Sequence, residues 1–380
     1  MTVQDTVINP GEETRPVTEE GDFLPLKRID HVQFWVGNAK QAMYFWWKGM
    51  GFTPVAYSGL ETGNRRFASY VLESGQIRIV VSAPYQPSDE MAAHHLLHGD
   101  GVKIIGLEVD DVARAYAELL ARGAKIVWAP REEIDEFGEL RTTAIQAYGE
   151  TLHMFVDRSA YGGPFAPGYQ KLHLQADSTG LAAIDHIVAN VELGKMDKWV
   201  NFYHQIMGFR QLVHFDDNDI STEYSALMSK VVQNGSGRIK FPINEPAEGK
   251  KKSQIEEYLD YYYTPGVQHI AMSTGDIITT VKSLKDRGIE FLRVPDAYYE
   301  VLPDRVGDIK ESLDMIRELG ILVDRDDEGY LLQIFSRPIQ DRPTVFFEVI
   351  ERHGSRGFGV GNFKALFEAL EQEQALRGNL

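Results

Sequence analysis

Three residues in the second half of this 380-residue chain have the types and settings for metal chemistry: His186, His269 and Glu348. Two imidazoles and one carboxylate on one face suit iron(II), with positions left open for oxygen and a substrate. The same donors also suit zinc. A lone histidine in a strand is ordinarily a hydrogen-bonded core residue. Glu348 is different, because it interrupts the apolar run Val345-Phe346-Phe347-Glu348-Val349-Ile350. An isolated carboxylate is costly to bury unless it is paired or bound to a metal.

An internal repeat ties the three together. Ile29-Asp30-His31-Val32, followed by Met50-Gly51-Phe52, returns as Ile184-Asp185-His186-Ile187, followed by Met207-Gly208-Phe209. Gly101-Val102-Lys103-Ile104 returns as Gly266-Val267-Gln268-His269. A fainter third match sets Thr151-Leu152-His153-Met154-Phe155 against Thr344-Val345-Phe346-Phe347-Glu348. In this alignment His31 answers to His186, Ile104 to His269 and Phe155 to Glu348. The C-terminal half therefore places three ligands at equivalent ends of three inner strands, and the N-terminal half carries a copy that has lost two of them.

The elements that must position these residues follow the same repeat. Each half opens with a short strand pattern and an aromatic-rich amphipathic helix (42–48 and 199–206) that ends at a glycine turn. Each continues with a second strand and a helix closed by a glycine, at Gly123 and Gly288. The fold class expected is α+β: two homologous domains, 22–165 and 180–380, each of paired strand–helix–strands units. Gly162-Gly163-Pro164 and Pro167-Gly168 read as the linker between them. Phe363, Leu366, Phe367 and Leu370 have helical spacing and predict a terminal amphipathic helix over 361–377. The glycines from Gly354 to Gly361 read as its hinge. Residues 1–21 are expected to be a solvated tail, with no basic or apolar region of the kind that directs export.

Polar residues among apolar strands predict a pocket. Ser229, Asn244, Gln254, Gln268 and Gln333 all lie in the C-terminal half, and a buried amide needs partners. Gln268 precedes His269, so strand alternation turns it to the other face unless the strand is bulged or Gln268 acts from behind the ligand. Phe335, Phe346, Phe358 and Phe363 are candidate aromatic walls. Other histidines look weaker. His94, His95 and His98 include an i,i+4 pair, but they read as a surface helix with no acidic third ligand. His204, His214 and His353 show no constellation. Lys250-Lys251-Lys252 reads as a solvated loop.

Composition narrows the classes. The chain is 43% hydrophobic, without a membrane-length apolar run, and its net charge of −17 disfavours nucleic acid and anionic membranes as partners. Cys is absent, which excludes disulfides and thiolate chemistry and fits a cytoplasmic location.

Several long motifs carry a resemblance. They are Pro242-Ile243-Asn244-Glu245-Pro246-Ala247, Lys250-Lys251-Lys252-Ser253-Gln254-Ile255, Pro265-Gly266-Val267-Gln268-His269-Ile270, Gln340-Asp341-Arg342-Pro343-Thr344, Phe347-Glu348-Val349-Ile350 and Gly361-Asn362-Phe363-Lys364-Ala365-Leu366-Phe367. Through them nearly the whole chain beyond the tail resembles the 4-hydroxyphenylpyruvate dioxygenase family, of the vicinal oxygen chelate fold. The resemblance implies open barrels, with Fe(2+) inside the C-terminal one on His186, His269 and Glu348. It implies substrate contacts at Ser229, Asn244, Gln254, Gln268, Gln333, Phe335, Phe358, Asn362 and Phe363, and a terminal helix that gates the pocket. It further implies that 4-hydroxyphenylpyruvate and O2 give homogentisate and CO2 in tyrosine catabolism, in a homo-oligomer (dimer or tetramer). Two alternatives stand beside it: 4-hydroxymandelate synthase, which hydroxylates the benzylic carbon of the same substrate, and a non-catalytic ligand-binding protein on the same fold.

Overall fold

The computed structural model describes residues 22–215, 226–247 and 249–379. The tail expected at 1–21 lies outside the described residues. The first half runs β1 (Ile29–Trp35), α1 (Ala39–Tyr44), β2 (Thr53–Ser58), β3 (Phe67–Ser74), β4 (Ile77–Pro84), α2 (Glu90–His98), β5 (Gly101–Glu108), α3 (Val112–Ala121), β6 (Ile126–Asp135), β7 (Gly138–Gln146) and β8 (Leu152–Asp157). The short β9 (Gln170–Lys171) then adds to the edge beside β2. The second half repeats the pattern with β10 (Leu181–Asn190), α4 (Met196–Met207), β11 (Arg210–Phe215), β12 (Ala226–Gln233), β13 (Lys240–Ala247), α5 (Gln254–Tyr262), β14 (Gly266–Thr274) and α6 (Ile277–Asp286). Three short helices follow, α7 (Asp296–Glu300), α8 (Leu302–Val306) and α9 (Leu313–Leu319), before β15 (Leu322–Arg325), β16 (Tyr330–Phe335), β17 (Phe346–His353) and α10 (Val360–Arg377).

Each half is thus two strand–helix–three-strand units, as the repeat predicts. The sheets share one order. The first is β6-β7-β8-β5-β1-β4-β3-β2-β9 and the second β11-β12-β13-β10-β14-β17-β16-β15. In each, the opening strands of the two units pair antiparallel at the centre (β1 with β5, β10 with β14) and each closing strand pairs parallel with one of them. The end strands β11 and β15 do not pair with each other, so the second sheet stays open.

Helix ends follow local chemistry. Asp111 and Asp276 cap α3 and α6 by accepting backbone N–H groups at Ala113, Arg114 and Thr279. Gly123 and Gly288, at φ +84° and +89°, release the chain from those helices into the left-handed region. The first helix differs from its expected span of 42–48: α1 ends at Tyr44 and runs on as a π-helical turn over Phe45–Gly49.

One apolar core runs across both halves. Trp46, from the π-helical turn of the first half, packs its ring 4.9 Å from that of Phe347 on β17. The segment read as a linker is packed too. Phe165 and Tyr169 join Ala56, Val71 and Val80 in a cluster within the first sheet. Among the described residues no helix is long and apolar enough to cross a membrane.

Candidate metal centre and pocket

His186 on β10, His269 on β14 and Glu348 on β17 come from the three central strands of the second sheet. Glu348 Oε2 lies 3.2 Å from His186 Nε2 and 3.3 Å from His269 Nε2. Neighbouring ligands adopt about that spacing around an ion bonded at roughly 2.0–2.2 Å. All three are buried, at 4%, 8% and 3% exposure. The far side of each imidazole is also held. His186 Nδ1 is 2.7 Å from Asp185 Oδ1, and His269 Nδ1 is 3.0 Å from Gln268 Oε1. Both Nδ1 atoms donate to these oxygens, which turns both Nε2 atoms towards Glu348. The donors fit a divalent metal ion.

Behind this trio stands a buried ion pair. Arg352, also on β17, donates to both oxygens of Asp185 at 2.7 and 2.8 Å. Burial raises the Asp185 pKa, but the guanidinium outweighs it and holds the carboxyl well below its usual range. For Glu348 burial also pushes upward, and the charge of His186 and then the hydrogen bonds of both imidazoles bring it down to about 2. Glu348 is thus an anion aimed at the place where a cation would sit. Burial lowers the pKa of His269, whereas for His186 the two carboxylates beside it overcome burial and raise it.

The cavity above the trio encloses about 580 Å³ of empty space, mouth included. Ser229, Asn244, Gln254 and Gln268 line it together with Phe335, Phe358 and Phe363. Gln268 and His269 face it together because β14 is bulged. Val188 pairs with His269 but Ala189 with Val267, so Gln268 is the extra residue without a partner on β10. Gln268 also links forward, its Nε2 standing 3.4 Å from Gln254 Oε1 at the start of α5. Sequence reasoning left open whether Gln268 reaches the pocket or backs the ligand, and the bulge lets it do both.

Two predicted pocket residues stand outside the cavity. Gln333 is 1% exposed, and its amide faces Gly359, where a Cβ would come within 2.6 Å of it. Asn362 is fully buried and turns outward, its Oδ1 accepting from Tyr298 and Arg305 at 2.6 and 3.0 Å. Both flank the start of α10 and do not form the wall. Phe346, a candidate wall, does line the cavity, and so do Leu366 and Phe367 of α10 and Phe215, which were not named for it. Phe367 was visible in the helical spacing of 361–377. The Asp185–Arg352 pair was half visible, since an Asp precedes the His in both repeats.

The third repeat match needs a one-residue correction. In the first sheet Ile104 pairs with Leu152, and in the second His269 pairs with Phe346. Glu348 therefore answers to Met154, while Phe155 points into the core on the opposite face. The first half keeps the supporting ion pair: His31 Nδ1 is 2.7 Å from Asp30, which Arg158 grips at 2.6 and 2.8 Å.

The histidines of α2 also need correction. His94 and His98 are buried, and an acidic neighbour is present. Glu150 Oε2 is 2.6 Å from His94 Nδ1 and 3.5 Å from His98 Nε2. The shorter distance is a hydrogen bond, and Lys103 Nζ reaches the same oxygen at 3.5 Å, so the cluster neutralises itself. His353 likewise has company, with Glu311 and Glu351 oxygens 2.9 and 3.0 Å from its Nε2.

Residues 30–138 and 183–302 each match the family described as the Glyoxalase/Bleomycin resistance protein/Dioxygenase superfamily. Over 379 residues the chain is 46% identical to 4-hydroxyphenylpyruvate dioxygenase of Aspergillus fumigatus, covering 93% of this chain and 94% of that one. The chain belongs to the 4-hydroxyphenylpyruvate dioxygenase family. Another relative of that name, from Xenopus tropicalis, is 48% identical over 372 residues, covering 95% of this chain and 94% of the relative. Among solved structures, a triple mutant of 4-hydroxymandelate synthase from Streptomyces coelicolor superposes with a TM-score of 0.83 at 32% identity, covering 92% of this chain and all of that one. Both halves carry the vicinal oxygen chelate fold, and the dioxygenase relatives match the sequence along nearly the whole chain.

Proposed function

We propose that the chain converts 4-hydroxyphenylpyruvate and O2 to homogentisate and CO2, with one Fe(2+) held by His186, His269 and Glu348. The observation that carries this reading is the buried two-histidine, one-glutamate cluster at the floor of a cavity walled by phenylalanines, in a chain of this family. Bound iron(II) supplies Lewis acidity and the means to activate dioxygen.

The chain's own residues do the rest by position. His186 and His269 offer Nε2 lone pairs fixed by acceptors behind them, and Glu348 supplies the balancing charge. Phe335, Phe358 and Phe363 border the cavity, as does Phe367, and they suit an aromatic ring better than an aliphatic chain. Ser229, Asn244, Gln254 and Gln268 give the cavity a polar side. In this reading those groups hold the phenol hydroxyl while the 2-oxo acid end faces the ligands, so the reacting carbon is oriented before chemistry begins. Asn362 is tied to Tyr298 and Arg305 at the start of α10, and the buried Gln333 amide stands beside Gly359 with no hydrogen-bond partner among the described residues. α10 keeps water out of the cavity. The units 22–165 and 180–380 are proposed as the two domains, the second carrying the catalysis.

The test is oxygen uptake by protein loaded anaerobically with iron(II), with products separated against authentic standards. Homogentisate and CO2 in equal amounts support the proposal. Hydroxymandelate would assign the benzylic reaction that the mandelate synthase likeness keeps in view. No oxygen uptake would overturn both.

A further inference from the structure

The two halves differ most between the third helix and the next strand. In the first half only residues 122–125 separate α3 from β6, but in the second half residues 287–321 separate α6 from β15. That insert contains α7, α8 and α9, and its Tyr298 and Arg305 do not line the cavity. They reach the first turn of α10 instead. Arg305 Nη1 donates to the Gly361 carbonyl at 2.8 Å, and its Nη2 lies 3.0 Å from Asn362 Oδ1 and 2.6 Å from the Val323 carbonyl. The Tyr298 hydroxyl accepts the Val323 N–H at 2.8 Å and donates to Asn362 Oδ1 at 2.6 Å. From β15, Asp324 Oδ2 accepts the Gly361 N–H at 3.0 Å.

α10 needs this grip. It starts at Gly359 with no side-chain cap and no acidic residue in its first turn. Phe363, the residue after Asn362, faces the cavity, and so do Leu366 and Phe367 one turn on. The gripped residues and the wall residues are therefore neighbours within the first two turns of the helix. We infer that Tyr298 and Arg305 are positioning residues for the reaction: a clamp built from the insert that sets how far Phe363 and Phe367 close over the substrate. This rests on the proposed function only in naming what lies beneath them.

The test uses full-length Arg305→Met, Tyr298→Phe and Arg305→Lys. Hydrogen exchange is measured on the metal-free protein, and steady-state kinetics on the iron-loaded protein. Arg305→Met should speed exchange across 360–370 about tenfold, with β10, β14 and β17 unchanged. It should raise KM for 4-hydroxyphenylpyruvate more than it lowers kcat, with unchanged iron content, and Arg305→Lys should recover part of the loss through the Gly361 carbonyl. Tyr298→Phe should act in the same direction and less. Unchanged exchange in 360–370, or a rise spread equally over the barrel strands, would overturn the clamp. The exchange arm needs no substrate, so it is decided even if the wild type proves to act on a different oxo acid.

Discussion

At the scale of single residues, the donor set is only as good as what stands behind it. Replacing Glu348 by Ala removes the one anion between two imidazoles. Bound divalent metal should fall below measurable stoichiometry, as read by plasma mass spectrometry of the loaded protein. Retained metal with retained turnover would place the centre elsewhere. Asp185→Asn keeps the shape but loses the charge that orients His186, and metal affinity should fall about 10- to 100-fold. Gln268→Ala should lower turnover by about tenfold or more while moving the melting temperature little, because the bulge already exposes this amide to the cavity. Loss of folding instead would make it a core amide. The clustering of His186, His269 and Glu348 was legible because a carboxylate in an apolar strand demands an explanation and because the chain carries its own comparison. The match of Phe155 to Glu348 failed for a physical reason. Short apolar strands look alike at a shift of one residue, and only the pairing with β5 fixes which face each residue takes.

At the scale of elements, two local devices shape the pocket. One is the β14 bulge, which puts an amide and a ligand side by side. The other is α10, whose Phe367 is 3% exposed and packs with Phe215, Leu227, Val231, Ile255 and Phe358. Phe367→Ala should cost about 3–5 kcal/mol in chemical denaturation and also raise KM, since one side chain serves both the cluster and the wall. A stability loss with an unchanged KM would mean that α10 reseats without it. Helices bounded by Asp caps and Gly turns were readable in the sequence, because their ends are decided within a few residues. The insert with α7 to α9 was not, since its helices are a turn or two long and are held by contacts with β15 and α10. Nor could Asn362 be placed outside the pocket from sequence. Its neighbour Phe363 faces in, and only Tyr298 and Arg305 show which way the amide turns.

At the scale of the molecule, the first half packs behind β17 and shares a seam with the second half. His153 of β8 is fully buried in that seam, its Nε2 2.7 Å from the Tyr203 hydroxyl of α4 and its ring stacked on Phe241 of β13. Burial pushes its pKa down to about 3. The folded value lies below the unfolded value of about 6.5, so the unfolded chain takes up the proton first. The stability from keeping this ring neutral is complete above about pH 6.5 and is lost progressively towards pH 3. At pH 5 the loss should be about 2 kcal/mol, and His153→Gln should flatten the acid slope between pH 6.5 and 5 in denaturant titrations. An unchanged slope would assign the acid sensitivity to other groups, such as His94. The doubled architecture was legible from the repeats, but the shared core was not, because contacts between halves leave no periodic trace.

The first half has a last consequence for design. It kept the keystone, Asp30 with His31 and Arg158, and lost only the occupants of two sockets, now Ile104 and Met154. Two point changes would give it the same three donor types as the second half. The double variant Ile104→His, Met154→Glu should bind a second equivalent of divalent metal per chain. If it binds no more than the wild type, the donors alone are not enough, and the Phe165 ring, set edge-on to His31 at 5.4 Å, is the next residue to shorten.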